Sequence, residues 1–173
     1  MKKLRKDNKG FTLVELIVVL VILAILAAIL VPALLGYIDD AKQKQLVLHG
    51  KSVFTAAQAQ ASNMYAKGYT PSSTSGLATF AEKVTQISDA KEFVDSGKTC
   101  TAIISFKGTG ANTDTNKHDG WTVVAIDYEE DGQWIKLQDG TWDSGSGACT
   151  AAGNKGAVKI DLTAGTGTKV SGS

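Results

Sequence analysis

Charge is missing from a long stretch of this sequence. From Leu16 to Leu35 no residue is charged over 20 positions, and Pro32 alone interrupts the apolar series. Net charge is also small, +1 over 173 residues, which gives no argument for a nucleic-acid partner. There are two cysteines, Cys100 and Cys149, far apart and without clustered His or Cys partners, which argues against a zinc site. Of the two histidines, His49 falls on a helical pattern and His118 in a polar stretch, and neither lies beside a nucleophile pattern. No phosphate-binding glycine motif occurs, and Asp114 and Asp119 lack the spacing of an EF-hand loop. Glu129, Glu130 and Asp131 crowd a turn and are most simply solvated charges. Trp121, Trp134 and Trp142 are expected in sheet packing rather than on a binding platform. The expectation is a chain with no catalytic residue, no metal and no cofactor.

What is present is concentrated at the N-terminus. The first ten residues hold Lys2, Lys3, Arg5, Lys6 and Lys9 against Asp7, a net +4 that leaves −3 for the rest. A basic cluster followed by an apolar run of bilayer length predicts a single membrane span, about residues 13–35, with the cluster in the cytoplasm. Everything after about Tyr37 then lies outside. The run is longer than the roughly 7–15 apolar residues of an ordinary secretory signal. An uncleaved anchor fits length and charge equally well. Glu15 separates these readings. It is the only ionisable side chain between Phe11 and Tyr37. A carboxylate at the bilayer centre costs on the order of 2.5–3.5 kcal/mol, and less near the edge. An anchor gains nothing from it, so Glu15 calls for a cation supplied from elsewhere.

Lys9-Gly10-Phe11-Thr12-Leu13-Val14-Glu15, running straight into the apolar segment, resembles the class III signal of type IV pilins and their relatives. The resemblance covers roughly residues 1–60 and includes Pro32; Ala24 stands where many relatives have glycine. It implies a leader of residues 1–10, cut after Gly10 by a separate prepilin peptidase, with N-methylation of the new amine on Phe11. It also implies assembly of identical subunits by helix bundling, with Phe11, Glu15 and Pro32 as assembly residues and an inner-membrane assembly platform as a further partner. The physical reading agrees. Gly10 fits the backbone of a protease substrate. Cleavage places a cation on Phe11, about 6 Å along a helix from Glu15, so Glu15 of one subunit can pair with the Phe11 amine of its neighbour. Removing one partner of such a desolvated pair costs about 3–5 kcal/mol.

The helix is predicted to continue past the membrane to about Ala66, loosened around Ala28 by Pro32. Val47, Gly50, Phe54, Ala57, Ala61 and Met64 recur at helical spacing and form a packing stripe. Helix from Thr12 to Ala66 would run to roughly 80 Å, longer than a lone small domain needs. Leu77, Phe80, Ala81, Val84 and Ile87 form a second, short stripe, with Ser75 as its cap. From Thr99 the period becomes two. Ala102, Ile104 and Phe106 form one apolar face, and Val124, Ile126 and Tyr128 another. Asp131-Gly132 and Asp139-Gly140 mark hairpins. The fold expected is α+β: a long N-terminal helix, residues 11–66, packed against an antiparallel sheet of about four strands in a head spanning 67–173. Lys107–Gly120 is expected as an exposed loop, and the tail from Thr163 as loose chain. In an oxidising space outside the cell Cys100 and Cys149 are expected to form a disulfide, with two free thiols as the alternative.

The function expected is a structural pilin, membrane-spanning before assembly and extracellular in the filament. The alternative is a pseudopilin of a type II secretion or DNA-uptake system. An anchored ligand-binding domain that never polymerises is a weaker third option.

Overall fold

A computed structural model describes residues 10–71, 73–93, 99–107, 121–138, 140–146 and 157–170. The chain divides into two compact units, 1–42 and 43–173. One helix, α1, spans Leu13–Ala66 and contributes to both.

In the first unit α1 is apolar on every side from Leu16 to Leu35. Each large apolar side chain from Leu13 to Leu35 is 50–74 % exposed within the chain. Helix propensity is carried by Leu and Ala, and β-branched Val and Ile cost little beside them. Pro32 lies inside α1, so the donor it lacks does not end the helix.

In the second unit α1 becomes one-sided. Leu46, Gly50, Val53, Ala56, Ala57, Gln60, Ala61 and Met64 are buried, and Val47 and Phe54 pack at the margin. The expected stripe is therefore the contact face. A Cβ on Gly50 would run into the Ile135 side chain and come within 3.2 Å of Trp142, so glycine there lets the sheet approach the helix. The helix ends on Gly68 at φ +74°, with Tyr69 N–H donating to Met64 O (2.9 Å) and Gly68 N–H to Tyr65 O (3.0 Å). This paired termination satisfies carbonyls that the last turn leaves open.

The second helix, α2, spans Thr74–Ile87. Its cap is Ser73, whose Oγ accepts from Gly76 N–H at 3.0 Å; Ser75, the expected cap, lies inside the helix. Gly76 decides the difference. A Cβ on it would meet the Thr70 carbonyl, so the turn before α2 closes tightly and the helix begins early. A 3-10 turn, Ala90–Glu92, follows.

The described residues hold a six-stranded sheet rather than the four strands expected, antiparallel throughout, in the order β4-β3-β2-β1-β5-β6. The strands are β1 Cys100–Phe106, β2 Val123–Glu130, β3 Gln133–Gln138, β4 Thr141–Ser146, β5 Val158–Asp161 and β6 Thr166–Lys169. Asp131 (φ 52°) and Gly132 (φ 75°) make the two-residue turn between β2 and β3, both in the left-handed region that such hairpins require. The tail from Thr163 is not loose: Thr166–Lys169 pairs with β5. Gly167 sits where a Cβ would crowd Ala81 (2.9 Å) and Leu77 (3.0 Å) of α2, so the glycine-rich composition serves close packing.

One apolar face of the sheet differs from its period-two reading. The register slips between Ser105 and Phe106, which face Ala125 and Val123. Val124 is the extra residue of a bulge and stays exposed, while Val123 joins the core with Ile126 and Tyr128. Ile103, Ser105, Ala125 and Asp127 are buried too, so the central strands are covered on both faces. The expected loop at 108–120 lies outside the described residues.

Candidate functional site

Gly10 and Phe11 precede α1, outside any helix or strand. A Cβ on Gly10 would meet nothing within 4 Å, and Phe11 is 86 % exposed. Nothing in the described chain shields the bond between them.

Thr12 and Glu15 make a reciprocal cap on the first turn. Glu15 Oε2 accepts from Thr12 N–H (2.9 Å) and from Thr12 Oγ1 (2.8 Å), and Thr12 Oγ1 accepts from Glu15 N–H (3.3 Å). This is the Thr-x-x-Glu capping box, whose carboxylate also sits well in the helix dipole. The signal was present in the sequence as Thr12-Leu13-Val14-Glu15, but the reading by membrane cost passed over it. Glu15 thus has a local partner within its own chain. Both bonds fall on Oε2, and Oε1 accepts none among the described residues. The carboxylate can hold its cap and accept a second donor. Pro32, the third expected assembly residue, is exposed on α1, remote from this turn in sequence.

An internal polar chain runs through the described residues of the head. His49 Nδ1 lies 2.8 Å from Glu130 Oε2, which accepts from Tyr128 Oη at 2.8 Å, and Cys100 Sγ lies 3.2 Å from Tyr128 Oη. The His49 ring stacks on Phe93 at 3.9 Å. Glu130 is therefore no solvated turn charge: it ties the start of the buried face of α1 to the end of β2. Burial pushes the Cys100 thiol up to about 12, and burial likewise pushes the Tyr128 phenol above its ordinary value. A protonated thiol is a poor nucleophile.

The structure gives the expected Cys100–Cys149 bond no support. Cys100 is a buried free thiol, and Cys149 lies outside the described residues. His118, Asp114 and Asp119 lie outside them as well. Trp121 is buried, with Nε1 donating to Tyr69 O at 2.7 Å, so it packs rather than presenting a platform. An open cleft of about 290 Å³ between the end of α1 and the start of α2 is lined by Gln60, Asn63, Lys67 and Tyr69 among others, without an acid–base pair or nucleophile. Among the described residues no three His, Cys, Asp or Glu side chains gather as a metal site.

The arrangement is therefore an exposed Gly10–Phe11 bond beside a capped carboxylate, at the head of an exposed apolar helix. No curated protein and no solved structure matches the chain. Residues 5–31 match the prokaryotic N-terminal methylation motif, the class III signal peptide of type IV pilin-like proteins.

Proposed function

We propose that this chain is a structural subunit of a type IV pilus or a closely related filament. It is made as a membrane-anchored precursor with its basic leader in the cytoplasm. A prepilin peptidase removes residues 1–10 and the amine of Phe11 is methylated. The mature chain leaves the membrane by packing its apolar helix among those of identical copies, above the assembly platform of the inner membrane.

The observation that carries this reading is the N-terminal half of α1. It combines the methylation motif with an apolar surface at least half exposed at every large side chain from Leu13 to Leu35. Fully burying each such side chain contributes about 1.5–3 kcal/mol. Lipid supplies that burial in the precursor and neighbouring helices supply it in the filament. Glu15 favours the filament over a plain anchor. Its Oε1, which accepts no bond among the described residues, is free to take a donor such as the amine of a neighbouring copy. A pseudopilin uses the same bundling in a shorter filament. The proposed Cys100–Cys149 bond rests only on the placement of both cysteines outside the membrane.

The test is mass spectrometry of filaments sheared from cells at native expression. The result expected is long surface filaments made of a chain that begins at N-methyl-Phe11. Filaments whose subunits begin at Met1 or beyond Ala33 would overturn the reading. Processed protein confined to the cell envelope, with no long filaments, would favour the pseudopilin.

A further inference from the structure

Two glutamines near the end of α1 differ in what they do. Gln58 is taken up by the fold: its Oε1 accepts from Val123 N–H at 2.9 Å and its Nε2 donates to Trp121 O at 3.1 Å. Gln60 is only 7 % exposed, yet its side chain makes no hydrogen bond among the described residues. Its carboxamide is not sealed in, because the space beside it is the cleft of about 290 Å³ between the end of α1 and the start of α2. Asn63 and Lys67 follow Gln60 at helical spacing and line the same cleft, with Tyr69 from the turn and Thr79 from α2. All five belong to the unit from Gln43. The side chains of Asn63, Lys67 and Thr79 are exposed and make no hydrogen bond among the described residues either. The backbone around them is already paired: Tyr69 N–H donates to Met64 O (2.9 Å), Trp121 Nε1–H to Tyr69 O (2.7 Å) and Gly76 N–H to Ser73 Oγ (3.0 Å). The cleft thus has fixed walls and open side-chain donors and acceptors.

We infer that this cleft binds a single acidic sugar residue. The inference goes beyond the filament reading and does not depend on it. A carboxamide offers a donor and an acceptor side by side, which matches neighbouring hydroxyls that also donate and accept. Gln60 and Asn63 supply two carboxamides and Thr79 a hydroxyl. Tyr69 is 57 % exposed and offers a flat apolar ring to the C–H face of a sugar. Lys67 is the one charged side chain among the described residues of the lining, and it selects a carboxylate. The volume lies at the lower end of small-ligand clefts and suits one ring. An extended peptide would need a sheet edge or an apolar groove, and the lining is helix side chains with the nearby backbone paired. A bare phosphate would need several cations or free backbone N–H groups, and Lys67 stands alone.

The test is a ligand titration followed by NMR, on the full chain held in a zwitterionic detergent that contains no sugar. The probes are the methyl glycosides of glucuronic acid, galacturonic acid and N-acetylneuraminic acid, with methyl glucoside, acetate, inorganic phosphate and a tri-alanine peptide as controls. The result expected is binding of at least one acidic glycoside with a Kd on the order of 1 mM, and of each control more weakly. Gln60→Met keeps the side-chain length and removes the carboxamide, and should weaken that glycoside about tenfold. Lys67→Gln should weaken it about fivefold and leave methyl glucoside unchanged. Asn63→Ala and Lys67→Gln change exposed positions, and they carry the test where Gln60→Met lowers the thermal midpoint. No binding of any acidic glycoside at about 20 mM, binding unchanged in both Asn63→Ala and Lys67→Gln, or tighter binding of phosphate or the peptide would overturn the inference and leave the filament reading intact.

Discussion

Glu15 Oε2 takes both bonds from Thr12, which makes its cap separable from the assembly role proposed for its charge. Thr12→Ala removes the hydroxyl of the capping box but leaves the Glu15 charge. It should loosen the first turn by about 1 kcal/mol and leave filament formation intact, which microscopy of sheared material checks. Cys100 makes a second residue-scale case. In the reduced chain burial holds its thiol at about 12, against 9.0 ordinarily. The thiolate fraction is then about a thousandfold smaller than in an unfolded chain. Alkylation of the reduced protein at pH 8 should be correspondingly slow at Cys100 and fast after denaturation. Because the folded value is raised, reduced protein should also lose stability as pH rises from about 9 toward 12, where the unfolded thiol ionises first. Replacing Cys100 with Ala should remove that part of the pH dependence. Non-reducing peptide mapping of protein from the cell surface tests the proposed disulfide: a Cys100–Cys149 cross-link supports it, and two freely alkylated thiols reject it.

Among the elements, α1 was the most legible in the sequence. Its apolar run has the length of a membrane span and the small-residue stripe after Val47 repeats at helical spacing, and the observed helix starts within about two residues of the expected limit and stops at it. The close approach at Gly50 is equally specific. Gly50→Leu forces a branched side chain into Ile135 and Trp142, which should destabilise the head by about 1–3 kcal/mol, seen as a thermal midpoint lower by several degrees. The sheet was less legible for three physical reasons. A bulge at Val124 shifts the in-out alternation at the start of β2. The strand β6 is too rich in Gly and Thr to show an apolar period, and is held by packing on α2. Burial of Ile103 and Ala125 on the second face blurs the alternation in the central strands. The start of α2 turned on Gly76 and its approach to Thr70, a backbone contact with no side-chain pattern.

The whole molecule divides where its surface chemistry changes. The unit from Gln43 has its own core, and in the unit before it the large apolar side chains from Leu13 to Leu35 are at least half exposed among the described residues. A chain beginning at Gln43 should fold as a soluble monomer with the full chain's thermal midpoint for the head, while the chain beginning at Phe11 should need detergent. Size-exclusion chromatography and calorimetry check both. The candidate site was legible as a motif, because Gly10, Phe11 and Glu15 lie within six residues of one another. The cap that Glu15 makes on Thr12 was not, since its carboxylate was weighed against lipid rather than against its own first turn. The most direct measurement of the central claim uses that cap. Glu15→Gln keeps an acceptor for Thr12, as capping boxes tolerate, and removes only the charge that would hold a neighbour's amine. The count of surface filaments from cells expressing this chain alone, with cleavage after Gly10 and membrane level followed by blot, is predicted to fall by about tenfold or more while processing stays normal. Undiminished filaments from Glu15→Gln would contradict the account.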